Sequence, residues 1–211
     1  MTLIDHLPVL LVAGPIVASL LTLVAGWHDR RLCYPIALAA VLGEFAAALV
    51  IFRQVMGGGT VRYDVGGWAP PMGIELVIDT FGGFILATIM LLALMTTLYA
   101  FRSVTKEIPT EKTVSFYVIF QVLLAGLIGM TITGDVFNLY VFLEISSIAA
   151  YTLISATRKP HAYVASYNYL VLGSIAAGFI LLGIGNLYVA TGTLNMAELA
   201  AMLPGSYDLA T

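Results

Sequence analysis

The run Gly134-Asp135-Val136-Phe137-Asn138-Leu139-Tyr140-Val141-Phe142-Leu143-Glu144 sets an acid deep inside an apolar segment. At 1.5 Å of rise per residue, Glu144 falls roughly 13 Å beyond Asp135 and roughly 20 Å before Arg158 on a continuous helix. Those two charges bracket a span, so the carboxyl sits near the middle of a bilayer core about 30 Å thick. An ionisable group there is costly unless it is protonated, hydrated or paired, and such groups mark ion and proton pathways. Helical spacing puts Tyr140, Ser147 and Tyr151 on the same face, a polar stripe about three turns long.

A similar row, Tyr163, Tyr167 and Ser174, recurs on the next apolar segment. Two such faces packed together can hold water and pass protons between hydroxyls and a carboxyl. The plainer alternative is that Glu144 hydrogen-bonds a neighbouring helix and the Tyr and Ser residues only pack. The residues leave both readings open.

Other polar residues invite smaller roles. Glu44, within Leu42-Gly43-Glu44-Phe45, is a second mid-segment acid and a candidate accessory proton site. A contact with a neighbouring subunit and plain packing beside Gly43 are its alternatives. Asp79 and Asp135 each precede an apolar run, where an aspartate caps a helix and favours its positive end. His161, beside Lys159-Pro160, is a candidate for proton entry or a solvated loop residue. Gly173, Gly178, Gly183 and Gly185 allow helices to approach closely, which is packing rather than chemistry.

The elements that must position these residues follow from composition. Of 211 residues, 60% are hydrophobic and only 10% charged, and mean hydropathy is +0.98. Soluble domains carry about 25% charge, so this chain belongs in a lipid membrane. Its formal net charge of −3 gives no electrostatic case for nucleic acid. A single cysteine, Cys33, excludes an internal disulfide framework, and His6, His28 and His161 lie in separate regions. No metal site and no cofactor is implied. No phosphate loop follows a strand and no nucleophile has a base at motif spacing, so catalytic chemistry within this chain has no foothold and enzyme status stays open.

Six stretches are long enough to span, at about residues 7–27, 32–52, 81–101, 114–133, 136–156 and 162–191. The expected fold is an all-α membrane protein with one membrane domain over 1–211. The first stretch follows Asp5-His6 with no basic flank and reads as a retained helix. Arg30, Arg31, Arg102, Lys106, Lys112, Arg158 and Lys159, seven of nine Lys and Arg residues, fall on one side. The positive-inside rule makes that side cytoplasmic and both termini extracytoplasmic. The loop from Gly57 to Gly73, rich in Gly, Pro and β-formers, reads as a short extracytoplasmic β-hairpin, with Trp68 at the interface.

The stretch from Gly134 through Glu144 to Tyr151 resembles the fifth helix of the D-type subunit of multi-subunit, Mrp-type cation/proton antiporters. That family is related to the antiporter-like, proton-pumping subunits of respiratory complex I and of membrane-bound hydrogenases. Thr191-Gly192-Thr193-Leu194-Asn195-Met196-Ala197 and Ile78-Asp79-Thr80-Phe81-Gly82-Gly83 resemble further parts of the same pattern, so the likeness covers essentially the whole chain. It implies a hetero-oligomeric proton-translocating subunit in a prokaryotic cell membrane, working in monovalent cation exchange. It also implies that Glu144 is the proton-pathway glutamate, paired with a lysine on a seventh helix.

Family members carry about fourteen helices, and no lysine follows Lys159 here. The pairing lysine is therefore expected from another antiporter-like membrane subunit. Three explanations stay open: a split subunit completed by a second polypeptide, a shortened chain, and a reduced subunit kept as scaffold. Leu203-Pro204-Gly205-Ser206 reads as an end in an outer loop, which favours the split. An ion-pumping module of a redox-driven complex and a non-conducting assembly subunit are the functional alternatives.

Overall fold

A computed structural model of the chain describes residues 6–157 and 159–206, with side chains described to Leu203. Arg158, counted above among the one-sided charges, lies outside the described residues. Six helices are long and apolar enough to cross a membrane: α1 (Leu7–His28), α2 (Cys33–Met56), α3 (Thr80–Glu107), α4 (Thr113–Ile132), α5 (Val136–Ile154) and α6 (Pro160–Thr191). Large apolar side chains such as Val24, Phe81, Leu172 and Phe179 stand exposed on their outer faces. The chain is a multi-pass membrane protein.

Local chemistry sets the helix ends. Asp79 Oδ1 accepts from Gly82 N at 2.7 Å, and Asp135 Oδ1 accepts from Asn138 N at 2.7 Å, so each aspartate satisfies an orphan donor of the first turn. Helix α3 runs six residues past its expected end because charged residues outside the apolar core are still good helix formers. It stops at Glu107, since Ile108 precedes Pro109 and is held extended. Gly192 closes α6 in the left-handed region, φ 73°, with its N–H on Tyr188 O at 2.8 Å.

α4 is the central helix. It packs against α1, α3 and α5, and half of its most apolar stretch is enclosed, against 11% for α6. The main apolar core joins Leu11, Val41, Ile51, Leu86, Met90 and Ile128 from the first four helices. A smaller cluster at the other end contains Cys33, Ala37, Val104, Ile108 and Tyr117. Helix α5 lies outside this group, and α6 packs on α5 at the edge.

Strands β1 (Val61–Asp64) and β2 (Glu75–Ile78) pair antiparallel between α2 and α3. The second strand falls beyond the stretch 57–73, where it is held by β1 on one side and by a segment remote in sequence on the other. Leu76 bridges Thr133, and Asp135 bridges Asn195. Gly134 N donates to Glu75 O at 2.8 Å, Val136 N to Leu194 O at 2.9 Å, and Met196 N to Gly134 O at 2.9 Å. Three segments are thus clasped at one end of the bundle. Inside the clasp the buried Glu75 carboxylate accepts from Arg62 Nη1 at 3.0 Å and from Asn195 Nδ2 at 3.5 Å.

A short seventh helix, α7 (Met196–Ser206), replaces the outer-loop ending read at Leu203-Pro204-Gly205-Ser206. Asn195 Oδ1 caps it, accepting from Ala197 N at 3.0 Å and Glu198 N at 3.2 Å. The Asn-x-x-Glu spacing is a helix-start signal that the sequence carries. Eleven residues span about 16 Å, too short to cross.

Candidate functional site

Helix α5 presents two opposite faces. One meets α4, where Gly126 and Gly129 leave room: a Cβ at Gly126 would lie 2.8 Å from Ser146 Cβ, and one at Gly129 would strike the Phe142 ring. Ser146 and Ala149 are buried there. At 100° per residue, Tyr140, Glu144, Ser147 and Tyr151 point to the other side, away from α4.

Along that stripe the surroundings change. Tyr140, Glu144 and Ser147 are half-buried, and the Tyr140 ring lies 6.2 Å from that of Phe137. Glu144 makes no hydrogen bond and no ion pair among the described residues. Tyr151 is buried instead. Its ring meets Tyr169 edge-on at 4.6 Å, its hydroxyl abuts Gly173, and its carbonyl accepts from Ser166 Oγ at 2.7 Å.

The face of α6 against α5 therefore carries Ser166, Tyr169, Gly173, Ala177 and Ile184. The row expected there, Tyr163, Tyr167 and Ser174, lies about a quarter-turn away and is exposed in this chain. Spacing showed that these three share a face but not which way it turns. Tyr163 accepts from Lys112 Nζ at 3.2 Å, which also donates to Ser155 O at 3.3 Å. Gly173 has the close-approach role expected of it, whereas Gly178, Gly183 and Gly185 face open space. His161 is exposed in the first turn of α6.

Glu44 occupies a different setting. It is buried within this chain, against α1. A Cβ at Gly14 of α1 would lie 3.4 Å from Glu44 Oε1, and Oε2 has no hydrogen-bond partner among the described residues. Further along the α1 interface, buried Gln121 of α4 donates to Thr22 Oγ1 at 2.9 Å. Sequence reading passed over Glu75 and Gln121, and met Asn195 only within a motif. Glu75 stands opposite Asp64 in the strand pair and meets Arg62 diagonally, a register that only the fold reveals.

Residues 133–210 match the family model described as NADH:quinone oxidoreductase/Mrp antiporter, TM. The chain is 43% identical over 208 residues to the N subunit of the NADH-quinone oxidoreductase of Desulforudis audaxviator, covering 96% of this chain and 40% of that protein. It is 34% identical to the D-type subunit of the Na(+)/H(+) antiporter of Bacillus subtilis, covering 80% of this chain and 33% of that one. Among solved structures it superposes on a chain of the membrane-bound sulfane sulfur reductase, an archaeal respiratory membrane complex. That match has a TM-score of 0.87 and 36% identity, and it covers 93% of this chain and 40% of the other. This chain thus spans about two fifths or less of each.

Proposed function

Because the chain belongs to the NADH:quinone oxidoreductase/Mrp antiporter family, we propose that it works as a proton-translocating, antiporter-like membrane subunit corresponding to the N-terminal half of a D-type subunit. Glu144 takes up and releases a proton at mid-membrane. Tyr140, Ser147 and Tyr151 supply hydroxyls along its helix, and water joins them. Tyr163, Tyr167 and Ser174 line a neighbouring surface that further helices cover, and His161 stands at the cytoplasmic mouth. Both termini and the hairpin face outward, in keeping with the one-sided Lys and Arg residues.

One observation carries this reading: Glu144 lies mid-helix on the side of α5 turned from α4, with no partner among the described residues. A half-open acid at that depth needs a counter-charge or water. A lysine on a further helix packed beside α5 fills that need. The assembled complex would then exchange monovalent cations for protons across a prokaryotic cell membrane. Glu144→Gln in the complex should abolish cation-coupled proton movement in everted vesicles while the complex still assembles. Normal transport by that variant overturns the reading.

A second reading has its own support. The relative at 43% identity is named an oxidoreductase subunit, and the solved neighbour belongs to a respiratory complex. On that reading the same proton step is driven by electron transfer in other subunits. Purification from the native membrane with mass spectrometry of the partners separates the two, since only a redox-driven complex brings electron-carrying subunits.

A further inference from the structure

At the end of the bundle opposite the clasp, a cavity of about 340 Å³ opens between the α1–α2 turn, the end of α3 and the start of α4. Its walls are apolar and aromatic: Tyr34, Phe101, Val104, Ile108 and Tyr117. Tyr34 lies 4.9 Å from Phe101 and 6.2 Å from Tyr117, ring to ring, so the inner wall is fixed by packing. Two cations, Arg30 and Arg31, stand at its mouth.

These cations are set in place yet uncompensated. Arg30 Nη1 donates to Thr110 O at 3.0 Å, which anchors the guanidinium across the opening and leaves its other N–H groups without a protein acceptor among the described residues. The nearest acid in sequence, Asp29, accepts from the Arg31 backbone N–H at 2.9 Å, and among the described residues neither arginine is in an ion pair. The N-terminus of α4 opens beside the cavity with no side-chain cap, adding positive potential. An anionic head with an apolar tail matches this pairing of charge and wall.

We propose that this cavity is a binding site for an anionic phospholipid. Its phosphate lies on Arg30 and Arg31, and one acyl chain enters between Phe101, Val104 and Tyr117. The site sits where these helices leave the apolar core, at headgroup level, and basic pockets between membrane helices take anionic lipids in this way. A free phosphate satisfies the arginines but leaves the apolar cavity unfilled.

The test uses the protein with whatever subunits purify with it, exchanged into defined lipid and read by native mass spectrometry. Phosphatidylglycerol should be retained and phosphatidylcholine displaced. Arg30→Gln with Arg31→Gln should weaken retention about thirtyfold, taking the usual contribution of a cation at a lipid headgroup for each arginine. Thr105→Trp, at an exposed position lining the cavity, should exclude the acyl chain and lower retention with both arginines intact. Arg102→Gln with Lys106→Gln removes equal charge from the same end without touching the cavity, and should change retention less than threefold. The proposal fails if that control pair matches the arginine pair, if phosphatidylcholine binds equally well, or if inorganic phosphate competes the lipid away.

Discussion

Glu44 and Glu144 stand near the midpoints of α2 and α5, and in an unfolded reading they look alike: one acid in a long apolar run. The fold gives them opposite surroundings. Glu44 is shut against Gly14 of α1 inside the chain's own core, with Oε2 unpartnered among the described residues. Glu144 is half-open, on the side of α5 turned from its main packing partner. Depth in the bilayer is shared, so depth does not assign a role. The side on which the helix is left uncovered does, because a group that exchanges protons needs water or a partner within reach.

The sharpest way to break this contrast is to neutralise each acid in turn. Glu144→Gln should lower cation-coupled proton flux at least about a hundredfold, the usual scale for losing a positioned proton-transfer group. Glu44→Gln should leave flux within about twofold of the parent, since an amide keeps the shape of a group that pairs with no cation among the described residues. A reversed pair of results would place the pathway in the core of the first four helices.

The next contrast concerns packing. Gly129→Val drives a side chain into Phe142 and should destabilise the α4–α5 contact by about 2 kcal/mol, read as a lowered midpoint of thermal unfolding in detergent. Asp135→Ala removes the cap of the helix that carries Glu144 and should cost about 1 kcal/mol, with faster amide exchange at Asn138. Smallest of all, Gly14→Ala sets a methyl at ordinary contact distance from Glu44 and should shift stability by less than about 0.5 kcal/mol. A large loss there would mean that the Glu44 site is as tightly built as the α4–α5 seam.

Much of the architecture was legible because twenty apolar residues leave a chain few alternatives in a membrane. The six spans sit within a few residues of their expected ends, except where α3 runs on to Glu107 and α2 continues four residues to Met56. Strand β2 pairs with β1 and is also bridged to Thr133, a contact far away in the chain that local composition does not reveal. Local composition around Glu75-Leu76-Val77-Ile78 reads equally well as the approach to a helix. The stripe on α5 was legible from spacing, but the face of α6 that meets it was not. Periodicity says which residues lie together, whereas Tyr151 fitting against Gly173 decides the rotation. The difference between Glu44 and Glu144 was equally out of reach, because it depends on which helices are neighbours.

The clasp of Glu75, Gly134 and Leu194–Met196 has a consequence for how the chain is threaded into the bilayer. Two spans separate its first member from its second, and two more separate the second from the third. All three meet only when every one of those four helices has crossed, in alternating directions. Were one helix skipped or inverted during synthesis, a member would be stranded on the wrong side with its backbone groups unpaired. The last bonds close after α6 emerges, so the N-terminal end of the helix carrying Glu144 is fastened only in a correctly inserted chain.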